Sequence, residues 1–172
     1  LTLNNTTIAG NVATSAAAQG AGLYSIGTAN LTNVTISENE AGGAGGGLAV
    51  AGGTTQLLNT LIGGNNSVTT SSEDVFESTN DGTLILTSGM NVGNNLIENT
   101  TGATVAFPAP PPMGGPLNAN GDIVNVDPLL SLLADNGGPT ATVGVMPGSP
   151  AIDGGADTTD ATDQRGITRA LD

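Results

Sequence analysis

Apolar and polar residues alternate through three stretches that read almost alike: LNNTTIAGN at 3–11, LTNVTISEN at 31–39 and LLNTLIGGN at 57–65. Alternation of period two, rich in Thr, Val and Ile, predicts short β-strands. Superimposing the stretches places Leu3, Leu31 and Leu57 in one column and Ile8, Ile36 and Ile62 in another. Asn5, Asn33 and Asn59 form a third column, and Asn11, Asn39 and Asn65 a fourth. A period of 26 to 28 residues predicts a solenoid.

A second motif follows the first two copies. Gly20-Ala21-Gly22-Leu23-Tyr24 recurs as Gly45-Gly46-Gly47-Leu48-Ala49, and Gly27-Thr28 and Gly52-Gly53-Thr54 then turn the chain toward the next Leu. Glycine there permits positive φ and close approach of neighbouring backbone. Each repeat thus reads as strand, corner, strand, corner, which is one coil of a right-handed parallel β-helix. Successive coils lie about 4.8 Å apart, so like residues stack. The Leu and Ile columns are expected to face inward. Asn11, Asn39 and Asn65 are expected to form an amide ladder, a device also seen in cross-β stacks.

After residue 65 the repeat loosens. Asp74-Val75-Phe76 is expected to replace the glycine-rich strand of the third coil, and Gly82–Thr87 to form a further strand. Gly89–Ile97 reads as the last rung. The coils are therefore assigned to 1–102. The segment 103–116, with its run FPAPPPMGGP, cannot donate a regular ladder and reads as an external polyproline-like loop. Residues 117–172, with the turn signals DNGGP and MPGSP, read as an irregular tail that folds back along or across the solenoid and covers it.

Composition sharpens this picture. Aromatic residues are only 2% of the chain, so its core must come from stacked Leu, Ile, Val and Ala. Two Arg against fifteen acidic residues, a net charge of −13, exclude the clustered cations that nucleic acid requires. No apolar run approaches the roughly 20 residues of a membrane span. Lyase chemistry on acidic sugars needs a base such as Lys, Arg or His; Lys and His are absent and Arg165 and Arg169 lie in the tail. Hydrolysis needs two carboxylates roughly 5 to 10 Å apart. Glu38, Glu40, Glu73, Asp74 and Glu77 are the candidates on the coils, but Glu38 occupies a solvated corner and Glu73 and Asp74 should face opposite sides. No catalytic pair emerges. Asp153, Asp157, Asp160 and Asp163, spaced along a glycine-containing loop, form a candidate oxygen site for Ca²⁺. The plainer alternative pairs Asp163 with Arg165 or caps a turn with Asp153.

The repeats with their following GGGL, the GMNVGNNLI segment, and above all DPLLSLLADNGGPTATVGVMPGSPAIDGG followed by TDQRG resemble bacterial β-helix surface proteins with a choice-of-anchor Q domain. They are more loosely similar to the repeats of polymorphic outer-membrane proteins. The resemblance implies a secreted or surface-displayed protein. The chain departs from that pattern in ending at TRALD. The expectation is a non-enzymatic extracellular solenoid that stacks with copies of itself through the first rung, Leu1, Thr2 and Leu3. The alternative is a cell-surface adhesin that binds glycans or matrix, with Ca²⁺ as its one candidate cofactor.

Overall fold

The structure, a computed structural model, describes residues 1–69, 73–78, 82–85, 93–103 and 121–169. The first coil holds β1 (Thr2–Ala9), β2 (Val12–Ala13) and β3 (Leu23–Ser25), and the second β4 (Ala29–Ser37), β5 (Glu40–Ala41) and β6 (Leu48–Val50). In the third are β7 (Gly53–Leu58), β8 (Leu61–Gly63), β9 (Asn66–Ser67) and β10 (Val75–Glu77). Strands β11 (Gly82–Ile85), β12 (Leu96–Ile97) and β13 (Ile123–Val124) add further rungs, and β14 (Leu130–Ala134) and β15 (Thr142–Val145) belong to the tail.

Strand pairing on the coils is parallel throughout, and three stacked sheets form the walls: β11-β7-β4-β8-β12-β13 with β1 on β4, then β10-β6-β3, then β2-β5-β9. This is the predicted parallel β-solenoid. The register matches the columns read from sequence, with Leu3 on Leu31 on Leu57 and Ile8 on Ile36 on Ile62. The Ile column then runs on through Ile97 to Val124. Leu31, Ile36, Leu48, Leu57, Ile62, Val75 and Ile97 are sealed from solvent. Each coil supplies the aliphatic floor of the next, which makes a core without large aromatics.

The long rung bends in its middle. Asn5, Asn33, Asn59 and Asn94 stand there with φ of 47°, 53°, 48° and 52°. Asparagine tolerates this left-handed region better than other side-chain-bearing residues, so the column of Asn is the column of bends. The next corner is likewise left-handed at Gly10, Glu38 and Gly64. Asp74 precedes the strand that replaces the glycine-rich one, with Val75 on Leu48, and Gly82–Ile85 pairs with Gly53–Gln56.

Two features of the second half differ from expectation. The ladder does not end at Ile97: Ile123 and Val124 pair with Leu96 and Ile97, so a rung lies beyond the boundary drawn at 117. Two residues are too few for a periodic signal. Nor is the tail wholly irregular, because β14 and β15 form an antiparallel hairpin. Beyond β13 the tail returns along the flank of the coils, as its bonds to Asn4, Asn5, Asn33 and Asn59 show. Residues 104–116 of the proline-rich segment and 89–92 of the Asn-rich rung lie outside the described residues.

Candidate functional site: amide ladders and two clefts

The predicted ladder is present and has a direction. Asn11 Nδ2 donates to Asn39 Oδ1 at 2.8 Å, and Asn39 Nδ2 donates to Asn65 Oδ1 at 2.9 Å. The backbone N–H of each donates to the same oxygen as its amide. Gly22 and Gly47 make room for this, since a Cβ there would lie 3.0 Å and 2.8 Å from the amide nitrogens of Asn39 and Asn65. In the third coil the equivalent position, Asp74, carries the side chain that ends the run. Its Oδ1 accepts from Asn65 N–H and Nδ2, and its Oδ2 accepts from Asn99 N–H at 2.8 Å. A ladder in which every rung donates the same way must finish on a group that accepts on both oxygens, and a carboxyl does so where an amide cannot. A second short ladder repeats the device: Asn95 Oδ1 accepts from Thr60 N–H, and Asn95 N–H and Nδ2 donate to buried Asp122.

Asp74 borders a cleft of about 450 Å³ with Gly64, Glu73, Glu98, Asn99 and Asn125. Burial pushes its carboxyl up to about 7, against the hydrogen bonds from Asn65 and Asn99, with the charge of Glu98 adding to the upward push. Glu98 itself accepts from Gly64 N–H at 2.7 Å, and Glu73 accepts from the Asn99 amide. A carboxyl near neutrality beside a carboxylate is the raw material of acid–base chemistry. Here, however, Asp74 is 1% exposed and both its oxygens are engaged, which is the arrangement of a structural acceptor.

The bend column makes the other assembly. Asn59 Nδ2 donates to Ala156 O at 2.7 Å while Asn59 Oδ1 accepts from Ala156 N–H at 2.8 Å. Asn33 donates to Asp160 Oδ2, and Asn4 to Asp160 Oδ1, both at 2.8 Å. Asn5 donates to Thr162 O and accepts from the Arg169 guanidinium, and Thr7 donates to Gln164 Oε1. Side-chain amides thus hold the returning chain as strand edges hold a neighbour. Between this chain and the coils lies a cleft of about 390 Å³.

Of the four candidate calcium ligands the structure brings three to the border of one cleft and leaves Asp163 outside it. Asp153 and Asp157 line the 390 Å³ cleft, as does Asp160, whose two oxygens are committed to Asn4 and Asn33. Asp163 faces Arg165 at 2.7 Å and accepts from the N–H groups of Arg165 and Ile167. Slight desolvation pulls its carboxyl upward, and the bonds from Arg165 and Ile167 outweigh this and hold it below the usual range. Among the described residues no three acidic side chains are gathered to hold a metal ion. Asp153 sits in a turn at φ 57°. Glu38 is half-buried rather than solvated, its Oε1 accepting from Leu133 N–H of the tail hairpin.

Sequence reasoning passed over Glu98, Asn94, Asp122 and Asn125. Glu98 follows the Leu-Ile pair that stacks on Leu61 and Ile62, and Asn94 precedes it at the spacing of Asn59 from that pair, so register alone could have found both. Asp122 and Asn125 flank a rung too short to read. In comparisons, no protein-family model, no curated protein and no solved structure matches this chain.

Proposed function

We infer that this β-solenoid is a non-enzymatic, extracellular structural module whose copies stack head to tail into a fibre, stalk or matrix. The observation that carries the reading is a pair of complementary exposed amide groups, one on the first coil and one on the last described rung. At the first coil Asn11 Oδ1 is exposed and has no donor among the described residues. At the other end Asn125 Oδ1 accepts from Thr100 N–H and Oγ, while its Nδ2 is exposed and has no acceptor among the described residues. A free amide donor on one copy set on a free amide acceptor of the next supplies a hydrogen bond across a junction.

The same end offers a strand edge. Among the described residues β1 pairs with β4 alone, so Thr2 and Leu3 lie on an open edge, with Leu1 61% exposed beside it. Val12, Tyr24 and Ile26 of that coil are exposed as well. Open edges and exposed apolar groups are what a neighbouring rung covers. Such a contact is heterologous and builds a filament when it does not close. The likeness of the tail to choice-of-anchor Q surface proteins supports the extracellular placement.

Sedimentation velocity across a concentration series tests the reading. Polymers that grow with concentration are expected, and Asn125→Asp, which keeps the oxygen that Thr100 uses but sets a carboxylate against Asn11, is expected to return the chain to monomer with an unchanged melting temperature. Monomers at every concentration overturn it and leave a single spacer. Repeating the series in EDTA tests the calcium reading of Asp153, Asp157, Asp160 and Asp163: only loss of the polymer supports it.

A further inference from the structure

Three of the four amides in the bend column are claimed by the returning chain, and the fourth is not. Asn5, Asn33 and Asn59 bond Thr162, Asp160 and Ala156. Asn94 has the same left-handed backbone and borders the 390 Å³ cleft, yet its amide has no hydrogen-bond partner among the described residues. The volume falls within the range of about 300 to 1,000 Å³ usual for small-molecule sites.

What the column binds is visible one rung away. Asn59 engages the N–H and the C=O of a single residue, a donor and an acceptor side by side. A vicinal pair of sugar hydroxyls presents the same complement, one O–H donating and its neighbour accepting. Around Asn94 the cleft adds acceptors, the carboxylates of Asp153 and Asp157, neither of which has a hydrogen bond among the described residues. It also adds apolar wall from Leu96, Ile123 and Val145, suited to the C–H face of a pyranose. The one guanidinium at its border, Arg169, is spent on Asn5 and Thr162. With free carboxylates and a net charge of −13, the site repels anionic sugars.

We propose that the cleft between the bend column and the returning chain binds a neutral saccharide, with Asn94 gripping a vicinal hydroxyl pair and Asp153 and Asp157 accepting from further hydroxyls. The site lies on the flank, between the coils and the returning chain. The test is ligand-observed saturation-transfer NMR on the full chain, with cellobiose, mannobiose, N,N′-diacetylchitobiose and digalacturonate as probes. At least one neutral disaccharide is expected to bind saturably at millimolar concentration, and digalacturonate is expected not to bind. Asp157→Ala, on the exposed rim, and Asn94→Gly, which keeps the left-handed backbone, are each expected to weaken binding about tenfold, the loss of one hydrogen bond to a charged or oriented partner. Unchanged thermal melting confirms that both variants are folded. The proposal is overturned if no neutral disaccharide binds, if digalacturonate binds equally well, or if binding survives either substitution undiminished.

Discussion

Asp74 shows how one residue type is dictated by three donors. Asn65 N–H, Asn65 Nδ2 and Asn99 N–H all point at it, so both side-chain oxygens must accept. An asparagine in its place would turn an NH₂ toward either Asn65 or Asn99. Asp74→Asn is therefore expected to destabilise the fold by about 1–3 kcal/mol, the cost of an unsatisfied buried donor, read by urea denaturation at pH 8, above the titration of the native carboxyl. The sign of the pH dependence follows from the direction of its shift. The native carboxyl titrates at about 7 and the free one near 3.8, so between these values the folded state binds more protons than the unfolded chain. The contribution of Asp74 to stability is then full below pH 4 and declines as pH rises through 7. Denaturation midpoints measured from pH 4 to 8 should fall across that window by more in the native chain than in Asp74→Asn, which has no such proton to lose.

At the scale of the coil, the Asn ladder ties rungs together more tightly than β-pairing alone. Asn39 is 1% exposed, receives two bonds from Asn11 and gives bonds to Ile8 O, Ser37 O and Asn65 Oδ1. Removing its amide strips partners on three sides, of which Ser37 and Asn65 are buried. Asn39→Ala is expected to cost ~2–4 kcal/mol in urea unfolding. Asn11→Ala, at the exposed end of the same ladder, is expected to cost under about 1 kcal/mol, because water replaces what the amide gave. Equal losses at the two positions would show that the ladder does not act through burial.

For the whole molecule, the open question is how the returning chain is held on the flank. Its grip is polar: Asp160 on Asn4 and Asn33, Arg169 on Asn5, Gln164 on Thr7, and Ala156 on Asn59. Polar contacts at a partly exposed surface are individually weak, each about 1 kcal/mol or less. The double variant Asp160→Ala and Arg169→Ala is therefore expected to raise amide hydrogen exchange across 156–169 while β4, β7 and β8 stay protected. Global unfolding of the solenoid would instead show that the flank segment is part of one cooperative unit.

Repetition made the coils legible. Because each coil repeats the last, the Leu, Ile and Asn columns could be aligned from the chain itself, and parallel stacking follows from period and alternation. The Asn11–Asn39–Asn65 ladder was legible for the same reason. What did not repeat stayed hidden. Ile123 and Val124 are a rung of two residues, and Asp122, Asn125 and Glu98 act through neighbours a coil away. The destination of the tail could not be read either, since its partners Asn4, Asn5, Asn33 and Asn59 lie roughly 100 to 160 residues back along the chain and make polar contacts that leave no periodic trace. Local period determines a solenoid because every rung meets a copy of itself. Only the tertiary structure decides which amides the returning chain takes and which one, Asn94, it leaves facing an open cleft.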